Sequence, residues 1–228
     1  MYIAQYLSRS GVCSRRKAIE HLKNDDVVVN GKVVDEFYKV EKNDFVKFRG
    51  KPVSIEEYIY ILLNKPRGYI TSRKDEQHRR TVYELLPKRY HNLVFPVGRL
   101  DFNTSGLLLL SNDGDLAQKL IHPSHKVQKR YQARLSKALT PEDFKKIKNG
   151  LKLEDGFVKV DSISYFKNKK DEATVSLHIG KRRIVRRLFE ELGYFVSQLD
   201  RFEFGGLTKK RLRLGEWRLL TPEEVSNL

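Results

Sequence analysis

The sequence predicts an α+β protein, with a small basic module followed by a larger domain built on a mixed, mainly antiparallel sheet. Three observations carry that prediction. An Asn30-Gly31 pair separates two valine-rich runs near the N-terminus. Leu107 to Leu110 is an unbroken apolar run. Around it, short strand patterns alternate with capped helices, with no internal repeat and no low-complexity tract.

The module is assigned to residues 1–50. Ser14 is placed to cap a helix through Arg15, Arg16, Lys17, Ala18, Ile19 and Leu22. Val27-Val28-Val29, Asn30-Gly31 and Lys32-Val33-Val34 form a hairpin pattern, because Asn-Gly supplies the positive φ angles of a type I′ turn. Asp44 to Phe48 reads as another strand, and residues 51–57, with Lys51-Pro52 and Glu56-Glu57, as a linker.

The second domain is assigned to residues 58–228. Tyr60 to Leu63 is a short strand that stops at Asn64-Lys65-Pro66-Arg67-Gly68. Leu107 to Leu110 fits a strand buried on both faces. Asn112-Asp113-Gly114 closes that strand, and Asp115 is expected to cap a helix through Leu116, Leu120 and Ile121. Lys129 to Leu135 alternates like a strand. Thr140-Pro141-Glu142-Asp143 opens a helix that Gly150 ends. Thr174 to Ile179 is a strand, Ile184 to Leu192 a helix stopped by Gly193, and Thr221-Pro222-Glu223-Glu224 a capping box.

Composition narrows the partners. The 228 residues carry 45 Lys and Arg against 29 acids, a formal net charge of +16. Such a surface suits a polyanion, either nucleic acid or anionic lipid. No apolar run approaches the ~20 residues of a membrane span, and the first residues lack a signal-peptide pattern. Cys13 is the single cysteine, which excludes an intrachain disulfide and a cysteine-built zinc site. A soluble, cytoplasmic, monomeric protein with a nucleic-acid partner is expected. The plainer alternative is a basic protein whose charge serves solubility alone.

The charge is clustered. Residues 119–149 hold nine Lys or Arg against Glu142 and Asp143, and residues 181–187 hold Lys181, Arg182, Arg183, Arg186 and Arg187. On a helix Arg183 and Arg187 share a face and Arg186 points elsewhere. A solvated helix face accounts for Lys145, Lys146 and Lys148 as well as phosphate binding does. It accounts poorly for five cations in seven residues, which repel one another unless something negative lies nearby.

The most unusual segment runs from Pro96 to Gly106. It is a polar, glycine-bounded loop feeding the apolar strand, and Asp101 is the only acid between Glu84 and Asp113. Beside Arg99, such a carboxylate can stay ionised in a partly dry site. An Asx-turn aspartate with no chemistry fits the same residues.

Gly98-Arg99-Leu100-Asp101, continuing into Thr104-Ser105-Gly106-Leu107-Leu108-Leu109 and Asn112-Asp113-Gly114, resembles the signature of the RsuA/RluB/RluE/RluF family of pseudouridine synthases. Four further motifs follow the family's order. They are Asn64-Lys65-Pro66-Arg67-Gly68, Lys129-Arg130-Tyr131 with Ala133, the basic segment from Gly180 to Phe189 with Leu192-Gly193-Tyr194, and Gly215-Glu216-Trp217-Arg218. The N-terminal module resembles the α-L RNA-binding fold of ribosomal protein S4, through Gly11-Val12-Cys13-Ser14-Arg15-Arg16 and Val29-Asn30-Gly31-Lys32. The chain departs from the family at Ile179, Arg182 and Ile184, where Glu, Asn and Gln are usual, and at Tyr2 and Gln5, where Arg and Lys are usual.

The resemblance implies isomerisation of a uridine in ribosomal RNA, free or in an assembling ribosomal particle, with no cofactor and no metal. It implies that Asp101 is the catalytic group, that Arg186 pairs with it, and that Tyr131 stacks on the flipped uracil. Arg15, Arg16, Lys17, Lys32, Lys65, Arg99, Lys129, Arg130, Lys181, Arg182, Arg183 and Arg187 are the expected RNA contacts. Arg80-Thr81-Val82-Tyr83 and Asn103-Thr104-Ser105-Gly106 resemble the large-subunit side of the family; a small-subunit target is the alternative. Asp113 and Asp115 read as a turn and a cap rather than a metal site, and His122 and His125 as loop residues within reach of RNA. A non-catalytic RNA-binding or ribosome-assembly protein is the main rival. It has no need of Asp101 among cations, where the carboxylate repels phosphate. A nuclease would need the carboxylate cluster that this sequence lacks.

Overall fold

The computed structural model describes residues 1–73 and 75–228. In the module, helices α1 (Ile3–Arg9) and α2 (Arg15–Lys23) precede β1 (Val27–Val29), β2 (Lys32–Val33), β3 (Val46–Phe48) and β4 (Lys51–Pro52). Ser14 caps α2 by accepting from the Lys17 amide. Asn30 and Gly31 take φ of 50° and 84°, so β1 and β2 close as the expected hairpin. The sheet order is β2-β1-β3-β4. Lys51-Pro52, expected as linker, instead pairs with β3, and the Val53 amide donates to Val46 O. Proline is tolerated there because β4 lies at the sheet edge. Ile3, Leu7, Ala18, Leu22, Val27, Val29, Val40 and Val46 form the module's own core.

The second domain contains β5 (Tyr60–Lys65), β6 (Phe95–Val97), β7 (Ser105–Ser111), α3 (Gly114–Ile121), β8 (Lys129–Leu135) and α4 (Pro141–Asn149). The hairpin strands β9 (Leu151–Leu153) and β10 (Gly156–Val158) follow, then β11 (Ser162–Phe166), β12 (Lys169–Leu177) and α5 (Ile184–Glu190). The chain ends through β13 (Val196–Phe204), β14 (Leu207–Thr208), β15 (Trp217–Leu219) and α6 (Pro222–Ser226). The large sheet runs β11-β12-β8-β13-β7-β5-β15, with β14 on β13 and β6 on β7. Among the described strands only β7 and β13 pair in parallel; the sheet is otherwise antiparallel.

The leucine run explains itself here. Leu108 and Leu110 point into one core with Phe189, Leu188 and Val185 of α5, while Leu107 and Leu109 point into another with Ala117 and Leu120 of α3. Layers cover both sheet faces, so period-2 alternation of polar and apolar residues disappears from β7.

Some boundaries shift. Asp113, not Asp115, caps α3, accepting from the Asp115 and Leu116 amides. Asp113 also accepts from the Tyr60 hydroxyl at 2.8 Å, which fixes it one residue outside the helix. The strand expected at 174–179 spans Lys169–Leu177, because it pairs with β11 from Lys169, opposite Phe166, and its pairing with β8 runs from Glu172 to Leu177. No helix among the described residues is long and apolar enough to cross a membrane. The module packs on the second domain through the Arg9 guanidinium, 4.2 Å from the Tyr58 ring centroid, and through Arg15 at the start of α3.

Candidate active site

The loop before β7 is held by its backbone. Thr71 Oγ1 donates to Leu100 O at 2.9 Å. Lys65 Nζ donates to Asp101 O at 3.2 Å and to Thr104 O at 2.8 Å. The Gly68 amide donates to Phe102 O at 2.9 Å, and Arg186 to Asn103 O at 2.9 Å. Five consecutive carbonyls thus each accept from outside the loop. Backbone fixed this way frees its side chains for other partners, and the Asp101 carboxylate has no hydrogen bond or ion pair within the protein among the described residues.

Lys65 is the deepest of these donors. Its side chain is 0% exposed, and burial holds its ammonium down to about 8, against a smaller upward pull from Asp101. It was expected to touch RNA. The structure corrects this: β5 carries Lys65 beneath the loop, out of reach of any phosphate. The motif Asn64-Lys65-Pro66-Arg67-Gly68 is therefore a scaffold. Asn64 Nδ2 donates to Leu212 O and its backbone carbonyl accepts from the Gly215 amide, while Lys65 and Gly68 hold the loop.

Arg186 is also buried, at 4% exposure. It donates to Val196 O and Asn103 O, tying α5 to β13 and to the loop. Burial lowers its guanidinium pKa, Arg183 adds to the lowering, and the Asp101 charge opposes it. The expected direct pairing with Asp101 is not formed. No Arg186–Asp101 ion pair lies within 4 Å among the described residues, because the fork is spent on two backbone carbonyls. The two groups still feel each other's charge.

Sheet register brings Tyr131 alongside. Tyr131 on β8 lies opposite Arg201 on β13, and Arg201 lies opposite Gly106 on β7, five residues after Asp101. Gly106 permits this close approach. A Cβ there would lie 2.2 Å from Arg201 O, and its φ of 115° disfavours any side chain. Arg201 is 3% exposed, donates Nε–H to Leu107 O at 2.8 Å and stacks 4.7 Å from the Phe204 ring centroid. Sequence reasoning missed Arg201 and Thr71. Neither sits in a motif, and a buried arginine within a strand pattern reads as solvent-facing.

The expected RNA contacts divide. Arg15, Arg16, Lys17, Lys32, Arg99 and Arg182 are exposed, and none forms an ion pair among the described residues. Lys129 does not belong with them. Its Nζ donates to Val127 O and His178 O, both at 3.0 Å, and burial, aided by Arg201, holds its pKa down to about 8. Arg130 pairs with Glu203 at 2.8 Å. For three of the five clustered cations the protein itself supplies the negative partner. Asp155, on the β9–β10 turn, takes both nitrogens of the Arg187 fork at 3.1 and 2.5 Å, and lies 3.5 Å from Lys181. Arg187 holds the Asp155 carboxyl down to about 2. Glu190 takes Arg183 at 2.9 Å.

A basic two-domain α+β protein with one unpaired carboxylate on a clamped loop is the architecture of an RNA-modifying enzyme. The chain belongs to the RNA pseudouridylate synthase family, whose sequence profile matches residues 59–191, and an S4 domain matches residues 3–46. It is similar to the ribosomal large subunit pseudouridine synthase B of Bacillus subtilis (strain 168), at 40% identity over 99% of this chain and 94% of that one. The protein of the same name from Buchnera aphidicola subsp. Baizongia pistaciae is 37% identical over 99% of this chain and 96% of that one. A crystal structure of a pseudouridylate synthase superposes with TM-score 0.71 over 100% of this chain and 99% of that chain, at 24% identity, and so shares the fold. The protein is an RNA pseudouridine synthase with an N-terminal S4 domain.

Proposed function

We propose that the protein isomerises a specific uridine of large-subunit ribosomal RNA, with Asp101 as the catalytic carboxylate. The observation that carries this is the clamped loop, which fixes five carbonyls and leaves the Asp101 carboxylate unpaired. The large-subunit target rests on the full-length similarity to two enzymes named for that substrate.

The reaction breaks the bond between ribose C1′ and uracil N1, turns the base and rejoins C1′ to C5, which then loses its proton. Atoms and electrons balance without a redox partner. The target base must leave its stack, at a cost of a few kcal/mol. Asp101 either attacks C1′ as N1 leaves and is itself displaced when C5 bonds to C1′, or removes a ribose proton that it returns when C5 bonds. N1 gains a proton as C5 loses one. Either role needs an ionised, positioned carboxylate. Tyr131 offers an aromatic face for the flipped uracil. Arg186 acts by holding the loop carbonyl at Asn103 and by its charge.

The test uses unmodified large- and small-subunit ribosomal RNA, tritiated at uracil C5, with pseudouridine mapped afterwards. Parent protein should release tritium from one large-subunit uridine. Asp101→Asn, which keeps size and removes charge, should fall to background with RNA affinity retained. Turnover by Asp101→Asn would remove the assignment of Asp101, and modification of the small-subunit RNA alone would replace the target.

A further inference from the structure

The outer face of α3 and the turn after it lie outside the site described above. Asp115, Gln118, Lys119 and His122 recur at helical spacing on the exposed side of α3, whose other side buries Ala117 and Leu120. With Ser124 and His125 they line an open groove of about 360 Å³. Lys119, Lys126, His122 and His125 form no ion pair among the described residues. His122 Nδ1 lies 2.7 Å from Ser124 Oγ and 3.3 Å from the Ser124 amide, which ties that edge of the ring to the turn and leaves Nε2 without a hydrogen-bond partner among the described residues. The His125 ring lies 6.1 Å away, edge to face.

One end of α3 meets the S4 domain and the other meets the loop that carries Asp101. At its N-terminal end, Arg15 of the S4 domain lies so close to Gly114 that a Cβ there would stand 2.7 Å from the guanidinium. At its C-terminal end, Ile121 lies near Gly98, where an added Cβ would stand 3.9 Å from its Cγ1; Gly98 precedes the exposed Arg99 and is two residues before Leu100, whose carbonyl is the first of the clamped five. A helix of eight residues spans about 12 Å, roughly the distance covered by two nucleotides of extended strand.

We propose that the α3 face is an RNA-backbone track, with Lys119, His122 and His125 contacting phosphates between those held by the S4 domain and the nucleotide presented to Asp101. Lys119 and Lys126, unpaired among the described residues, the two exposed imidazoles and continuity with the catalytic loop select the RNA substrate as occupant. Asp115 repels phosphate at the N-terminal end, so the contacts fall on the C-terminal half, where the cation and both imidazoles sit. This inference rests on the proposed reaction at Asp101.

The experiment compares the full-length parent with the triple variant Lys119→Ala, His122→Ala, His125→Ala on the same unmodified ribosomal RNA. Equilibrium binding is measured across salt, and single-turnover product formation at saturating RNA. Affinity should fall about tenfold, and the slope of log affinity against log salt should shrink by about 1. Turnover at saturating RNA should match the parent, which also reports an intact fold. Unchanged affinity and slope would overturn the track, as would loss of turnover with affinity intact. A parent that binds but makes no pseudouridine would count against the reaction at Asp101, while the binding comparison still decides the track.

Discussion

Arg186 and Arg187 are neighbours in a run of cations, and the sequence cannot distinguish them except by helical phase. Arg186 is buried and bridges Val196 O and Asn103 O, whereas Arg187 is half-buried and holds Asp155. Arg186→Lys keeps the charge but cannot reach both carbonyls, so one buried acceptor is left unpaired at about 1–3 kcal/mol. Turnover at saturating RNA should drop by about 10- to 100-fold, because the loop carrying Asp101 loses a fixed point. Arg187→Lys preserves an ion pair with Asp155 and should change turnover by no more than about twofold. Single-turnover kinetics on both variants make the comparison, and equal losses would assign the two arginines the same role. Lys65 carries the same lesson. From sequence it is one more cation in a basic protein, and only burial shows that it faces three carbonyls rather than phosphate.

At the scale of elements, the capping signals placed α2, α4 and α6, and α6 is one example. Thr221 accepts from the Glu224 amide, Glu224 accepts from the Thr221 amide, and the same carboxylate takes both nitrogens of the Arg218 fork at 2.6 Å. Arg218 holds Glu224 down to about 2 from its ordinary 4.5. The folded-state pKa is lowered, so this stabilisation is present above about 4.5 and is lost as pH falls towards 2. The group is largely solvent-screened, and the contribution is about 1 kcal/mol or less. Glu224→Gln should therefore be less stable than the parent at pH 6 by that amount, and the gap should be narrower at pH 3 and close towards pH 2. Denaturant unfolding at the three pH values measures it, and a gap independent of pH would show that the cap, not the ion pair, holds α6. The helix signal failed at α3 by two residues, because Asp113 and Asp115 are chemically equal as caps and only the Tyr60 hydroxyl selects the first.

Across the whole molecule, the proposed function gives the S4 domain RNA contacts that the chemistry at Asp101 does not use. Arg16, Lys17 and Lys32 are exposed on the S4 domain, and none of them contributes to the clamp around Asp101. Replacing all three with Ala should make the salt dependence of RNA affinity shallower by about 2 to 3 in slope, since each phosphate contact releases counterions. Turnover at saturating RNA should stay within about twofold of the parent. Filter binding across salt and single-turnover assays test this, and an unchanged slope would mean that this face of the domain does not meet RNA. Arg15 is kept out of that variant because it packs against Gly114 as well as facing solvent.

The two-domain α+β plan, the Asn30-Gly31 hairpin, the doubly buried leucine strand and the segment that carries Asp101 were legible in the residues alone. Each is a local signal, written in turn chemistry, periodicity or contiguous motif, and needs no distant partner to be read. Only the tertiary structure decided which cations are free. Lys65 and Lys129 are bound to backbone carbonyls, Lys181, Arg183 and Arg187 to acids, and Arg186 to the loop it steadies, while Arg99 and Arg182 remain open. A positive side chain has the same formula whether it meets a carbonyl, a carboxylate or a phosphate. Its role is set by groups such as Asp155 and Asn103, up to 83 residues away in the chain, that folding brings within hydrogen-bond distance.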